Sequence, residues 1–206
     1  AHNVVTTDGK HHTFSQFASG MFLPGLKTLL SRFMLINPLN MLKEEHHLVT
    51  CGIRDALGLT QIDRRALVIT PFQRSINRLR EIARSSKRHG SCGEGVGECM
   101  ADYLAYGDAL ILAGDLPDRA TLIRKLKFLR AAKYHEFSKL QSLLPQTESV
   151  QKECAIFTHT DWFDYCLDAY NYFSDCVDLV DETALHRLFA QPGTVLKRAL
   201  FEHTID

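Results

Sequence analysis

Four glycines fall within fourteen residues of one another in the stretch KRHGSCGEGVGECM, Lys87 to Met100, at positions 90, 93, 95 and 97. Glycine costs entropy on folding, so such a cluster marks turns or a close backbone approach. Successive amides without bulky side chains can also wrap an oxyanion. A helix beginning after Gly97 would add its positive partial charge. Ser91 supplies a hydroxyl, and Lys87 and Arg88 supply charge nearby. The chemistry this suits is the holding of a phosphate. Glu94 and Glu98 would oppose an anion if they faced it. The stretch is not a Walker-type loop, because G-K-[ST] does not occur. Nor is it a dinucleotide fingerprint, because a helix rather than a strand precedes it. The same composition serves a flexible connector between two helices, and both readings stand at this point.

Other reactive side chains are spread more thinly. His2 and Asn3 precede the first strand. His11-His12 and His46-His47 are adjacent pairs. Neighbours in a strand point to opposite faces, and neighbours on a helix do not face each other. Both pairs are therefore read as non-metal. Asp161, Asp164, Asp168, Asp175 and Asp178 read as a solvated helix face rather than a metal site. The six cysteines, at 51, 92, 99, 154, 166 and 176, form no C-x-x-C pair and no zinc spacing. They read as free thiols of a reducing cytoplasm. No G-x-S-x-G nucleophile elbow occurs.

These residues need elements to position them. Val4 to Thr7 and His11 to Phe17 flank an Asp-Gly, which predicts a hairpin. Leu29 to Ile36 reads as a strand or a mixed loop. Asn37 and Pro38 open a helix as cap and first residue. Ala66 to Ile69 is a short buried-type strand. Thr70 and Pro71 then start a helix with Phe72, Ile76, Leu79, Ile82 and Ala83 on one face. Arg74, Arg78, Arg80 and Arg84 lie on the other face, and Gly90 is the expected stop. A helix over Glu98 to Ala105 ends at Gly107. Asp118 to Leu144 is a long amphipathic helix. Thr160 to Ala190 is helical with a break, and Gly193 to Leu196 begins a strand. The order predicts an α/β protein with a sheet-forming part (1–115) that carries the glycine loop and a mainly helical part (116–192), a helical insertion rather than a bundle.

The totals limit the function classes. Lys plus Arg and Asp plus Glu both come to 24, so net charge gives no case for nucleic acid or a membrane surface. No apolar run is long enough to span a bilayer. The opening AHNVVTTDGK is polar and lacks an initiator Met, so a processed or cut end is expected.

The run ITPFQRSINRLREIARSSKRHGSCGEGVGE resembles the adenylosuccinate synthetase family, in which a helix with a basic end leads into a G-T-T-G-x-G-I-G-P loop. Here the loop is Gly90 to Gly97, with Glu98 in place of the proline. Collinear likenesses follow. AGDLPDRATLIRKLKFL is similar to V-G-D-L-x-D and its long helix, and CVDLVDE to a later helix. AHNVV is similar to N-A-G-H-T-hydrophobic, and FASG to I-P-S-G. The resemblance implies one partial domain over 1–206, an α/β P-loop-ligase-like fold with an incomplete central β-sheet and a helical insertion, and a cytoplasmic, homodimeric ligase of AMP synthesis. GTP would phosphorylate the 6-oxygen of IMP, and L-aspartate would displace that phosphate. It implies that His2 acts as general acid on the 6-oxygen side, that GTP lies against His2 and Asn3, and that the carbonyl of Ala1 binds Mg²⁺. Gly90, Ser91, Cys92 and Gly93 would hold the IMP phosphate. Cys92 departs from the pattern, since a thiol is a poorer donor than a hydroxyl. Leu104 to Leu110 lacks the family's arginine. The segments Q-W-G-D-E-G-K-G-K and F-E-G-A-Q-G do not occur in the sequence. Truncation at both ends and inactivity of the chain alone are therefore expected. The alternative is a non-catalytic module that binds a purine phosphate or a protein partner.

Overall fold

The computed structural model describes residues 2–87 and 89–190. The chain forms two compact units. The first takes the stretches up to Leu67, from Leu112 to Pro117, and from Ala169 onward; the second takes Val68–Ile111 and Asp118–Asp168.

In the first unit, β1 (His2–Val5) and β2 (His11–Phe14) form the expected antiparallel hairpin, with His2 opposite Phe14 and Val5 opposite His11. Gly9 takes a positive φ of 86° in its turn, where a side chain would be strained. Three parallel strands follow in the order β3 (Thr28–Leu30), β5 (Thr60–Asp63), β7 (Asp178–Val180). Leu30 stands beside Ile62, and Ile62 beside Leu179. A second ribbon pairs β4 (Leu35–Ile36) with β6 (Leu67–Val68). Helix α1 (Pro38–Thr50) is capped by the Asn37 side chain, which accepts from the Asn40 amide at 3.2 Å. Helix α7 (Glu182–Phe189) is capped by Asp181, and its Leu185 packs with Val180 and Leu29.

The second unit is helical. It contains α2 (Pro71–Ala83), α3 (Val96–Tyr106), α4 (Arg119–Leu140) and α5 (Glu148–Thr158). Helix α6 (Asp161–Cys176) runs from the second unit into the first. Thr70 starts α2 through a capping box. Its side chain accepts from the Gln73 amide, and its own amide donates to Gln73 Oε1 at 2.9 Å. Phe72, Ile76 and Leu79 are buried with Leu122, Leu126, Leu129 and Phe137. Phe137 stacks on Phe157 at 4.7 Å between ring centres.

A buried polar cluster ties three of these helices together. Lys133 of α4 meets Asp102 at 2.6 Å, Glu136 at 3.0 Å and Glu98 at 3.2 Å. Gln73 of α2 donates to the other oxygen of Asp102 at 2.8 Å. Burial by itself would lower the Lys133 pKa. Hydrogen bonding to Asp102 and Glu136 outweighs it, and the ammonium is held above its usual value.

The α/β class and the helical insertion agree with the sequence reading. Several elements differ. CVDLVDE, read as helical by resemblance, contains strand β7, because Asp181 ends the strand by capping α7. Helix α2 ends at Ala83 rather than near Gly90; Ser85 adopts φ 50° and a short 3-10 turn follows. Leu29 to Ile36 divides into β3 and β4. Strand β5 and helix α5 were not anticipated. The expected strand at Gly193 to Leu196 lies outside the described residues.

Candidate functional site

The glycine loop belongs to the second unit and is held by α2. Gly90, Gly93 and Gly95 all have positive φ, between 70° and 81°. Gly95 caps α3 and lies against the backbone of α2. A Cβ there would fall 2.9 Å from the Arg74 nitrogen and 3.0 Å from its Cα. The Asn77 carboxamide reaches the loop twice, accepting from the Gly95 amide at 3.3 Å and donating to Ser91 Oγ at 3.2 Å. Arg78 donates to the Gly93 carbonyl at 2.8 Å and pairs with Glu94 at 3.1 Å and Glu153 at 2.8 Å.

The front of the loop closes on a carboxylate. Glu81 Oε2, in the last turn of α2, accepts from the amides of His89 and Gly90, each at 3.0 Å. Partial burial pushes the Glu81 pKa up. Arg84, at 2.6 Å, and the amides of Gly90 and Ser91 pull it further down, so the group is held below its ordinary value. These contacts are those of an anion nest, with an internal carboxylate as the anion.

Beside this contact is an open hollow of about 390 Å³, lined by Gly90, Ser91 and Gly93 together with Arg78, Glu81, Ile82, Ser149 and Glu153. Three of the four expected phosphate-holding residues therefore share one concave surface. Cys92 is exposed. Among the described residues, the lining carries one cation, Arg78, and two carboxylates, Glu81 and Glu153. Burial pulls the Arg78 pKa down, but Glu153 and then Glu94 hold it above its usual value.

The remaining expected site residues lie in the first unit. His2 is exposed on β1. Asn3 is exposed beside it, and its carboxamide oxygen accepts from His11 Nε2 at 2.5 Å and Thr13 Oγ1 at 3.4 Å. Ala1 lies outside the described residues. Sequence reasoning missed Glu81, Asn77 and Arg78 as partners of the loop. The available signal was that Glu81 is the single acid of α2, standing among Arg74, Arg78, Arg80 and Arg84.

The sequence profile of the adenylosuccinate synthetase family matches residues 1–184. The chain belongs to the adenylosuccinate synthetase family. Among curated adenylosuccinate synthetases, that of Streptococcus gordonii is 30% identical over 140 residues, covering 68% of this chain and 32% of that protein. That of Lactococcus lactis subsp. lactis is 27% identical over 145 residues, covering 70% of this chain and 33% of that protein. The chain thus spans about a third of the length of the curated relatives it matches. The fully ligated adenylosuccinate synthetase from Plasmodium falciparum superposes with a TM-score of 0.64 at 14% identity, over 91% of this chain and 39% of that one. That likeness establishes the shared fold. Among the described residues, no helix is long and apolar enough to cross a membrane.

Proposed function

We propose that these residues form part of a GTP-dependent ligase that joins IMP and L-aspartate through a 6-phosphoryl intermediate. The observation that carries this reading is the Glu81 carboxylate on the His89 and Gly90 amides. It supports the loop as an oxyanion holder rather than a slack connector. In the proposed substrate complex, the 5′-phosphate of IMP takes over those amides. Ser91 adds a hydroxyl, and Cys92 contributes a weaker donor than a hydroxyl would. His2 serves as general acid on the 6-oxygen side, and GTP lies against His2 and Asn3.

The Mg²⁺ that accompanies GTP would neutralise phosphate charge. The resemblance would assign it the carbonyl of Ala1, which lies outside the described residues. We read the 206 residues as one partial domain of a cytoplasmic enzyme, inactive in ligation by themselves. They contain neither the Q-W-G-D-E-G-K-G-K nor the F-E-G-A-Q-G segment. A homodimer belongs to the same reading. Val96, Met100, Tyr103 and Leu104 are exposed on α3, an apolar stripe that a second copy would cover. Sedimentation velocity measures this.

The phosphate-holding role is tested by titrating IMP while following the amide resonances of Gly90 to Gly97. Shifts centred on Gly90, Ser91 and Gly93 are expected. Glu81→Gln removes the competing charge and should tighten binding about tenfold, or ~1.4 kcal/mol. Amide resonances that stay fixed at millimolar IMP in both proteins would refute the assignment. In that case the non-catalytic module, with a protein partner rather than a purine phosphate, would replace it.

A further inference from the structure

The two histidine pairs, unable to act within themselves, meet across elements in the first unit. Alternation along β2 sends His11 outward to Asn3 and His12 inward. His47 lies one helical turn before Cys51, and the Cys51 amide still donates to the His47 carbonyl at 3.3 Å. Both side chains therefore leave the end of α1 on one face. His12 Nδ1 lies 2.6 Å from His47 Nδ1, and Cys51 Sγ is 4.0 Å from the same nitrogen. All three donor atoms fall within 4.8 Å of one another.

What faces the outer side of His12 decides how the cluster is read. His12 Nε2 is 3.2 Å from Glu44 Oε1. Glu44 is buried, and its carboxylate also accepts from the Ser15 amide (2.8 Å), the Ser15 hydroxyl (2.5 Å) and the Gln16 amide (2.9 Å). A carboxylate so surrounded by donors is an acceptor only, so Nε2 carries the proton. With the proton at Nε2, the Nδ1 lone pair is directed at His47 Nδ1, 2.6 Å away. A carboxylate that fixes the outer nitrogen of a histidine and turns the inner one toward further ligands is the usual outer support of a metal-bound imidazole.

We propose that His12 Nδ1, His47 Nδ1 and Cys51 Sγ bind a borderline transition-metal ion, Zn²⁺ by chemical preference, with a fourth position open to water. Two nitrogens and one thiolate suit Zn²⁺ or Co²⁺ and disfavour Mg²⁺ and Ca²⁺. Tetrahedral Zn²⁺ sets its nitrogens about 3.3 Å apart and its nitrogen and sulfur about 3.6 Å apart. The two histidines need to part slightly, and Cys51 needs to close slightly. His47 is exposed and Cys51 half-buried, so both can rotate without disturbing the core. The bound ion would clamp β2 to α1. This site stands independently of the IMP reading.

Co²⁺ is the probe, added to the full chain under anaerobic conditions with a phosphine reductant. One equivalent should give tetrahedral d–d bands and a thiolate-to-cobalt charge-transfer band, with Zn²⁺ displacing it. Cys51→Ser should abolish the charge-transfer band, and His47→Ala should weaken Zn²⁺ binding at least about a hundredfold. Glu44→Gln should weaken it about tenfold to a hundredfold. Cys154→Ser should leave the cobalt spectrum unchanged, and far-ultraviolet circular dichroism confirms that each variant is folded. Three results would overturn the proposal: no stoichiometric Co²⁺ binding at micromolar metal, a spectrum without the thiolate band, or a band that survives Cys51→Ser.

Discussion

At the residue scale, the four loop glycines are not equivalent. Gly95 combines a positive φ of 81° with backbone atoms of α2 where a side chain would go. A methyl group has nowhere to move, because the atoms it meets are main chain. Gly90 has a similar φ of 71° and open space around it. Gly95→Ala should therefore cost about 2–4 kcal/mol, the sum of left-handed strain and overpacking. Gly90→Ala should cost only about 1–2 kcal/mol, from conformation alone. Urea denaturation of the two variants measures the difference, and equal losses would mean that the α2 contact is not felt. A Cβ on Gly97 would meet nothing within 4 Å, so packing does not explain the glycine there.

At the element scale, helix α3 leads out of the loop and is anchored by the Lys133 cluster. Replacing Lys133 with Met removes the cation from Asp102, Glu98 and Glu136 while keeping much of the volume. Buried Asp102 then loses its cation, while Glu98 and Glu136 keep Arg80, and the cost is about 3–5 kcal/mol. Thermal unfolding of Lys133→Met tests this; a loss below about 1 kcal/mol would show that the acids are reached by water. The elements also show what the sequence makes legible. Helix α2 was readable because Thr70, Pro71, Phe72, Ile76 and Leu79 combine a cap with a periodic apolar face. Strand β5 was not, since its buried ends are polar. Thr60 satisfies its hydroxyl on the Ala56 carbonyl at 2.8 Å, and Asp63 is bound by Arg65 at 2.8 Å. A strand whose polar groups are paired locally carries no hydrophobic alternation to detect. The same holds for the sites. The glycine spacing pointed to the loop, but Glu81 and Glu44 read as ordinary helix acids. Only the fold shows that each carboxylate collects donors from a distant stretch of chain.

At the scale of the whole molecule, the ionisable groups narrow the pH range of stability from both sides. Burial raises the Glu136 pKa, but Lys133 and Arg80 lower it more, and the net shift is downward from 4.5. A depressed folded-state pKa contributes stability above the unfolded value, lost as pH falls through the folded one. Unfolding should therefore become easier below about pH 4.5. Burial, aided by Asp102, raises Cys99 from 9.0 to about 12, and burial alone raises Cys166 to about 12. A raised folded-state pKa contributes stability below the unfolded value, lost as pH climbs toward the folded one. The urea midpoint should thus fall between pH 9 and 12, and Cys166→Ala should make that fall shallower. A midpoint indifferent to pH above 9 would mean that the thiols ionise in the folded chain.

The order in which segments enter the two units has a consequence for synthesis on the ribosome. Strand β7, an outer strand of the parallel trio, is encoded after the entire helical unit. Helices α2 to α5 can thus emerge and settle while β3 and β5 still wait for their third member. Nascent chains stalled before Asp178 should accordingly resist protease in the helical unit first, with the sheet protected only once translation has passed Val180.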